Sequence, residues 1–206
     1  LEDAVRVTQH LMQQGACSTI DVLGEFVTTR ERASSETVAQ SAVLDAIHQN
    51  GLKSYLSVKP TSVGLDVDND FGYANLRSLV TKAKEKGLFV RMDMENTPYT
   101  DATLDWYKRL RMDGFDNVGV VIQAYLKRSE ADIRMLLDYA PSVRLCKGIY
   151  VESSEVAFTE PEEIRTNYKK LLRILLKADT RTHIATHDEA LVVDAEQQVE
   201  SLAANP

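Results

Sequence analysis

The sequence predicts an α/β fold of the (β/α)8, TIM-like barrel type, with about six βα units inside these 206 residues. Three observations predict it. Apolar, strand-like runs alternate with helical periodicity six times, at intervals of about 25–40 residues, which makes a parallel sheet. The strands divide into a polar and an apolar face, because alternate side chains point to opposite sides. Tyr55, Ser57 and Lys59 share one face and Leu56 and Val58 the other; Arg91 and Asp93 oppose Val90 and Met92; Arg144 and Cys146 oppose Val143 and Leu145. An open sheet covered by helices on both sides would be apolar on both. Finally, five runs end in polar clusters: Ser57-Val58-Lys59-Pro60-Thr61, Arg91-Met92-Asp93-Met94-Glu95, Val121-Ile122-Gln123, Arg144-Leu145-Cys146-Lys147-Gly148 and Ala185-Thr186-His187-Asp188. The C-terminal ends of parallel strands are where a barrel keeps its active site.

Each element has its own signal. Residues 1–14 read as a helix stopped by Gly15, and 16–24 as the first strand. A polar loop with Arg30, Glu31 and Arg32 leads to a helix over 35–50, capped by Ser34 or Ser35 and stopped by Gly51. Residues 52–59 are the second strand, followed by a loop at 64–70 and a helix that runs to about Lys86 and ends at Gly87. The third strand, 88–93, precedes a helix over 100–112 stopped by Gly114. The fourth, 118–124, precedes a helix opened by Ser129-Glu130-Ala131-Asp132, close to a capping box. The fifth, 143–148, leads through a longer loop to a helix with Thr159 as cap, Pro161 in its first turn and Glu162 at its third position. The sixth, 182–186, precedes a last helix over 189–204. No linker or low-complexity tract interrupts the series, so residues 1–206 read as one domain. A complete barrel of eight units needs roughly 250 residues, so two strands and two helices are expected beyond Pro206. The start at Leu1, inside an amphipathic pattern, reads as an excised stretch of a longer protein.

Composition excludes several function classes. Hydrophobic content of 44% suffices for a core. A net charge of −7 and a pI near 5.2 argue against non-specific nucleic-acid binding, which needs a basic face, and against adhesion through anionic lipids. No run approaches the roughly 20 apolar residues of a membrane-spanning helix, and no signal peptide is visible. Cys17 and Cys146 fall in predicted strands and read as buried reduced thiols. Few cysteines and no export signal fit a reducing cytoplasm.

The polar clusters carry the chemistry. Lys59 ends an apolar strand before Pro60, which imposes an extended approach; it reads as a solvated loop charge, an anchor for an anionic substrate, or a Schiff-base amine. Asp93 and Glu95 share a face of the third strand, where carboxylates order a ligand, balance a cation or act as acid and base, unless they pair with Arg91 or Lys59. Gln123 is a long amide at the end of an apolar strand, and burying it costs free energy unless a ligand or backbone bonds it. Arg144 and Lys147 bracket a strand end beside Gly148, which allows a ligand close backbone approach. Two cations there suit phosphate, or a flavin ring that gains negative charge on reduction, or they balance Asp93 and Glu25. His183 and His187 have the spacing of a helical metal pair. On a strand that spacing is roughly 13 Å, too far to share one zinc, so no metal site is expected. His10 and His48 read as helix-surface residues and Trp106 as helix packing. No G-x-G-x-x-G, Walker loop or nucleophile elbow occurs, so a dinucleotide would have to bind without the Rossmann device.

Taken in order, these segments resemble the proline dehydrogenase family: Asp21-Val22-Leu23-Gly24-Glu25, Ser57-Val58-Lys59-Pro60-Thr61 with Gly64-Leu65-Asp66, Asp93-Met94-Glu95, Gln123-Ala124-Tyr125-Leu126-Lys127-Arg128, Arg144-Leu145-Cys146-Lys147-Gly148, Glu155-Val156-Ala157-Phe158 and Ala185-Thr186-His187-Asp188. The resemblance implies a flavin-dependent barrel that moves a hydride from C5 of L-proline to N5 of FAD, yields pyrroline-5-carboxylate and passes electrons to a quinone. It implies a cytoplasmic enzyme with a peripheral contact at the inner membrane. Lys59 would pair with the substrate carboxylate, and Asp93 and Arg144 would be the catalytic residues around substrate and flavin. Met94, Gln123, Lys147, Gly148, Ile149, Thr186 and His187 would contact FAD, and Glu25 would be the acidic partner of a mobile arginine that gates the pocket. Ile149 stands where the family usually has alanine, and the family's paired arginines that clamp the carboxylate fall outside this sequence. These 206 residues alone are expected to be inactive or nearly so. Two other readings stand beside this one: a Schiff-base lyase or aldolase using Lys59 or Lys147, and a structural module that only folds or associates.

Overall fold

The computed structural model describes residues 1–203; the expected helix end at residue 204 and the stop at Asn205-Pro206 lie outside the described residues. In chain order the elements are α1 (Glu2–Gln13), β1 (Ser18–Asp21), α2 (Arg30–Gln49), β2 (Ser54–Val58), α3 (Asn69–Glu85), β3 (Val90–Met92), α4 (Thr97–Met112), β4 (Val118–Gln123), α5 (Ser129–Leu136), β5 (Ser142–Cys146), α6 (Pro161–Lys177), β6 (Arg181–Ala185) and α7 (Glu189–Ala203). Strand order follows chain order, as the βα alternation of the sequence predicts. The chain forms two compact units, one of Leu1–Glu95 with Tyr99–Gly119, the other of Asn96–Pro98 with everything from Val120 onward.

In the first unit β2 pairs in parallel with β1 and with β3, placing Leu56 opposite both Ile20 and Val90. Leu56, Val58, Val90 and Met92 are wholly buried, α2 packs against α3, and Leu44 and Ile47 of α2 and Leu76 and Leu79 of α3 are buried. Each such side chain contributes about 1.5–3 kcal/mol of burial. Trp106 is also buried and its indole N–H donates to Asn69 Oδ1 at 3.1 Å, as helix packing requires of a buried indole. Arg91 is fully buried, with its guanidinium 5.0 Å from the Phe89 ring centroid and 5.9 Å from that of Tyr55. It lies so close over Gly119 that a Cβ there would sit 2.2 Å from the Arg91 Nη1.

In the second unit β5 pairs in parallel with β4 and β6, setting Val143 against Val120 and Leu145 against Ile184. Helix α6 packs against β5, its Tyr168, Leu171, Leu172 and Leu175 are fully buried, and the Tyr168 hydroxyl donates to the Leu145 carbonyl at 3.0 Å.

Several boundaries differ from expectation. Helix α2 starts at Arg30, not at residue 35, because Thr29 is its cap and accepts from the Arg32 N–H at 3.2 Å; Arg30, Glu31 and Arg32 form its first turn, and Ser34 and Ser35 lie inside it. Helix α6 is preceded by Glu160 as N-cap, without a side-chain bond, so Thr159 is not its cap, while Pro161 does open the helix. The Ser129 hydroxyl donates to the Gln123 carbonyl, and Arg128 precedes the helix and pairs with Asp132 at 2.7 Å, so no capping box forms. The first five strands are shorter than predicted, while β6 keeps the expected length and begins one residue earlier, at Arg181. Cys17 falls before β1 and is exposed, Cys146 is half-buried, and both are thiols.

Candidate active site

The first unit assembles a charged cluster at the C-terminal ends of β1, β2 and β3. Parallel pairing sets Asp21 opposite Ser57 and Ser57 opposite Arg91, so the residues just past these positions meet. Lys59 Nζ donates to Asp21 Oδ2 at 2.7 Å and lies 3.8 Å from Asp93 Oδ2. Asp93 is itself oriented by the Ser57 hydroxyl, which donates to Oδ1 at 2.8 Å. Burial pulls the Lys59 pKa down, but the hydrogen bond to Asp21 and the charges of Asp21, Asp93 and Glu25 outweigh it and raise the pKa. Lys59 is thus held as an ammonium.

Glu95 does not join that cluster by sharing a strand face, since β3 ends at Met92. It is wholly buried and accepts from the Thr61 N–H at 2.9 Å and the Thr61 hydroxyl at 2.5 Å. Burial raises its pKa, against the pull of both bonds from Thr61. Met94 is buried at 5% exposure, and Glu25 is exposed on the loop between β1 and α2.

The second unit gathers the remaining candidates at the ends of β4, β5 and β6. Gln123 ends β4 and is buried. Arg144, in register with Val121 and His183, is half-buried. Lys147 reaches Asp188 Oδ2 at 3.1 Å, and Arg165 reaches the same oxygen at 2.9 Å. These two cations, Arg165 first, hold the Asp188 carboxyl below the usual aspartate range. The Asp188 N–H donates to the Thr186 hydroxyl at 3.0 Å, and His187 beside it is exposed. Gly148 has φ of +114°, a conformation that favours glycine, and Ile149 projects at 85% exposure. A Cβ on Gly148 would meet the Tyr125 ring at 2.2 Å. Packing within the chain therefore demands this glycine before any ligand does. Tyr125 is buried, burial pushes its phenol up to about 12, and its hydroxyl has no protein hydrogen-bond partner among the described residues.

Sequence reasoning missed five of these residues. Asp21 and Thr61 stood inside quoted motifs, but nothing local marks them as partners of residues 38 and 34 positions away. Ser57, Arg165 and Tyr125 likewise acquire their roles only through strand pairing and loop packing. Among the described residues no group of three or more His, Cys, Asp or Glu is placed to hold a metal ion, and no helix is long and apolar enough to cross a membrane.

Comparison with known proteins places this arrangement in a context. The sequence pattern of one family, described as proline dehydrogenase, matches residues 4–205. Proline dehydrogenase 1 of Bacillus subtilis (strain 168) is 35% identical over 199 residues, 97% of this chain and 66% of that protein. A proline dehydrogenase of Deinococcus radiodurans is 36% identical over 203 residues, again 97% of this chain and 66% of its own length. The chain thus spans 66% of the length of these curated relatives. Among solved structures, proline utilization A (PutA) from Bdellovibrio bacteriovorus, inactivated by N-propargylglycine, superposes with a TM-score of 0.90 at 22% identity, covering 98% of this chain and 26% of that one. The Bradyrhizobium japonicum protein of the same name gives 0.82 over 94% of this chain and 24% of its own, at 22% identity. These likenesses show the fold: an α/β series of six parallel strands.

Proposed function

We propose, from the premise that this chain belongs to the proline dehydrogenase family, that the full protein oxidises L-proline to pyrroline-5-carboxylate with bound FAD, and that residues 1–206 are part of one barrel domain doing so. The observation that carries this reading is Lys59. Its ammonium sits at a strand end between two carboxylates, is only 20% exposed at the side chain and is held charged. A Schiff-base lysine must be neutral to attack a carbonyl, so the same observation disfavours the lyase reading. As a fixed cation, Lys59 anchors the carboxylate of an amino acid, and Asp93, fixed by Ser57, faces the same ammonium.

The residues of the second unit fit a flavin. Arg144 and Lys147 supply positive charge and, with His187, N–H donors, Gln123 supplies an amide, and exposed Ile149 offers an apolar surface beside the turn at Gly148. Thr186 and Gly148 complete this unit's share of the residues assigned to the cofactor; Met94, in the first unit, is assigned to it from the family resemblance alone. The flavin, when bound, supplies a hydride acceptor that gains negative charge. Arg144 and Lys147 would hold positive charge near such a group, the kind of preset electrostatics that lowers a barrier. Glu25, exposed on its loop, is assigned to gating. We assign electron exit to a quinone through a peripheral contact at the inner membrane, and the low cysteine content supports a cytoplasmic setting.

The decisive experiment is a visible spectrum of the full-length protein before and after L-proline. The expected outcome is a flavin spectrum bleached by proline. A colourless protein trapped by borohydride with a carbonyl substrate would replace this reading with the lyase, and aggregation without stoichiometric flavin would replace it with the structural module.

A further inference from the structure

Glu95 has no place in the reaction just described, yet it is one of the most buried charged groups in the first unit, with no side-chain exposure at all. An ionised carboxylate is retained in such a position only where hydrogen bonds compensate its lost hydration. Each of its oxygens accepts a hydrogen bond from Thr61, which is itself fully buried. The Thr61 hydroxyl, having donated to Glu95, accepts from the Phe26 N–H at 2.7 Å, and the Thr61 carbonyl accepts from the Val27 N–H at 3.4 Å. The chain Glu95–Thr61–Phe26 therefore ends on the residue directly after Glu25.

Phe26 is strained where it is held. Its φ is +54°, a region that bulky L-residues rarely enter, and such an outlier persists only when its surroundings over-determine it. The surroundings here are the Thr61 hydroxyl and the Tyr99 ring, whose centroid is 5.9 Å from that of Phe26. The same turn, Pro60–Val63, also fixes the substrate anchor. The Ser62 hydroxyl donates to the Lys59 carbonyl at 2.7 Å and accepts from Gln40 at 2.8 Å. One turn thus registers the Lys59 backbone and the Glu25-Phe26 corner together.

We propose that Glu95 is a positioning residue: acting through Thr61, it holds the loop between β1 and α2 in its strained turn, so that Glu25 keeps a fixed place relative to Lys59 when the substrate binds. This rests on the proline-oxidation reading, which supplies the substrate. A neutral, merely space-filling residue at 95 would leave the Thr61 hydroxyl free to rotate. The doubly bonded carboxylate fixes the hydroxyl proton toward itself and aims the lone pairs at Phe26.

The test compares Thr61→Val, Thr61→Ser and Glu95→Gln in the full-length, flavin-loaded protein, by residue-resolved amide exchange and by proline turnover. Thr61→Val is expected to speed exchange at the Phe26 amide by about tenfold or more, and to raise KM for proline by a similar factor while kcat changes by less than about threefold. Thr61→Ser restores the hydroxyl and both properties. Glu95→Gln still accepts from the hydroxyl but opposes the Thr61 N–H with its own amide donor, so it falls between; it leaves no unpaired buried charge and decides the matter if Thr61→Val does not fold. Unchanged exchange at Phe26 in Thr61→Val and Glu95→Gln overturns the latch. Faster exchange with unchanged KM reduces it to a structural contact and overturns the positioning role. A wild-type protein that leaves its flavin oxidised with proline overturns the functional reading, and with it the role in turnover, whatever exchange at Phe26 shows.

Discussion

The Tyr125 ring fills the space in which position 148 would carry a side chain, with Cδ1 only 2.2 Å from where a Cβ would stand. The contact joins two loops already stitched by backbone bonds. Tyr125 N–H donates to the Lys147 carbonyl at 2.8 Å, Phe158 N–H to the Tyr125 carbonyl at 2.8 Å, and Lys127 N–H to the Val156 carbonyl at 2.9 Å. The Lys147-Gly148 turn has its shape because Tyr125 leaves it no other. Gly148→Ala therefore combines a positive φ with a clash against a buried ring, and is expected to cost about 2–4 kcal/mol. Thermal denaturation checks the stability, and flavin content per protein checks the consequence for the cofactor.

Removing the Tyr125 hydroxyl has the opposite sign. It is buried and lacks a protein partner among the described residues, and a buried polar group left unbonded costs about 1–3 kcal/mol. Tyr125→Phe keeps the ring that packs on Gly148 and is expected to leave the melting temperature unchanged or raise it. A clear fall in melting temperature would show that the hydroxyl is bonded.

Asp21 determines the charge state of Lys59 more than its modest appearance suggests. The bond from Lys59 to Asp21 leads the influences that raise the lysine pKa against the effect of burial. A raised lysine pKa keeps the ammonium present to higher pH, and its loss follows as pH climbs through that value. In Asp21→Asn the alkaline fall of kcat/KM for proline is expected at lower pH than in the wild type, with the neutral-pH rate less affected. A pH–rate profile reads this directly.

Asp188 ties Lys147 and Arg165 into one network, and its depressed pKa has a stability consequence. A carboxylate of this kind stabilises the fold at pH above its unfolded value, and the contribution disappears as pH falls through the lower folded value. Asp188→Asn is expected to melt below the wild type near pH 7, with the two curves converging below about pH 4. Melting temperatures across that range check the sign.

Ile149 separates a cofactor role from a structural one. At 85% exposure its truncation to alanine is expected to change stability by less than about 0.5 kcal/mol. If Ile149 rests on the flavin, the lost apolar contact weakens flavin binding by about tenfold. Titration of the stripped protein with FAD distinguishes the two.

Much of this was legible in the sequence because its signals are periodic or local. The βα alternation, the apolar faces of β2 and β3, and the helix stops at Gly15, Gly51, Gly87 and Gly114 all correspond to observed features, the four glycines having positive φ. Lys59, Asp93 and Lys147 were recognisable as unusual for their places. What was not legible is pairing across distance. Glu95 reads as a second carboxylate beside Asp93 until the end of β3 turns it into the interior against Thr61. The cap of α2 was misplaced because Thr29 and two serines compete for the role, and only backbone geometry distinguishes a capping hydroxyl from one inside the first turns.

The Lys59 cluster sets a condition on what can enter it. Two carboxylates, Asp21 and Asp93, surround one ammonium, so the triad carries one unit of formal negative charge before any ligand arrives. A bare carboxylic acid brings a third negative group and meets repulsion as well as attraction. An amino acid zwitterion brings its own positive charge and arrives nearly neutral. On the proline-oxidation reading, proline is therefore expected to bind more tightly than its deaminated analogue, which competition between the two measures.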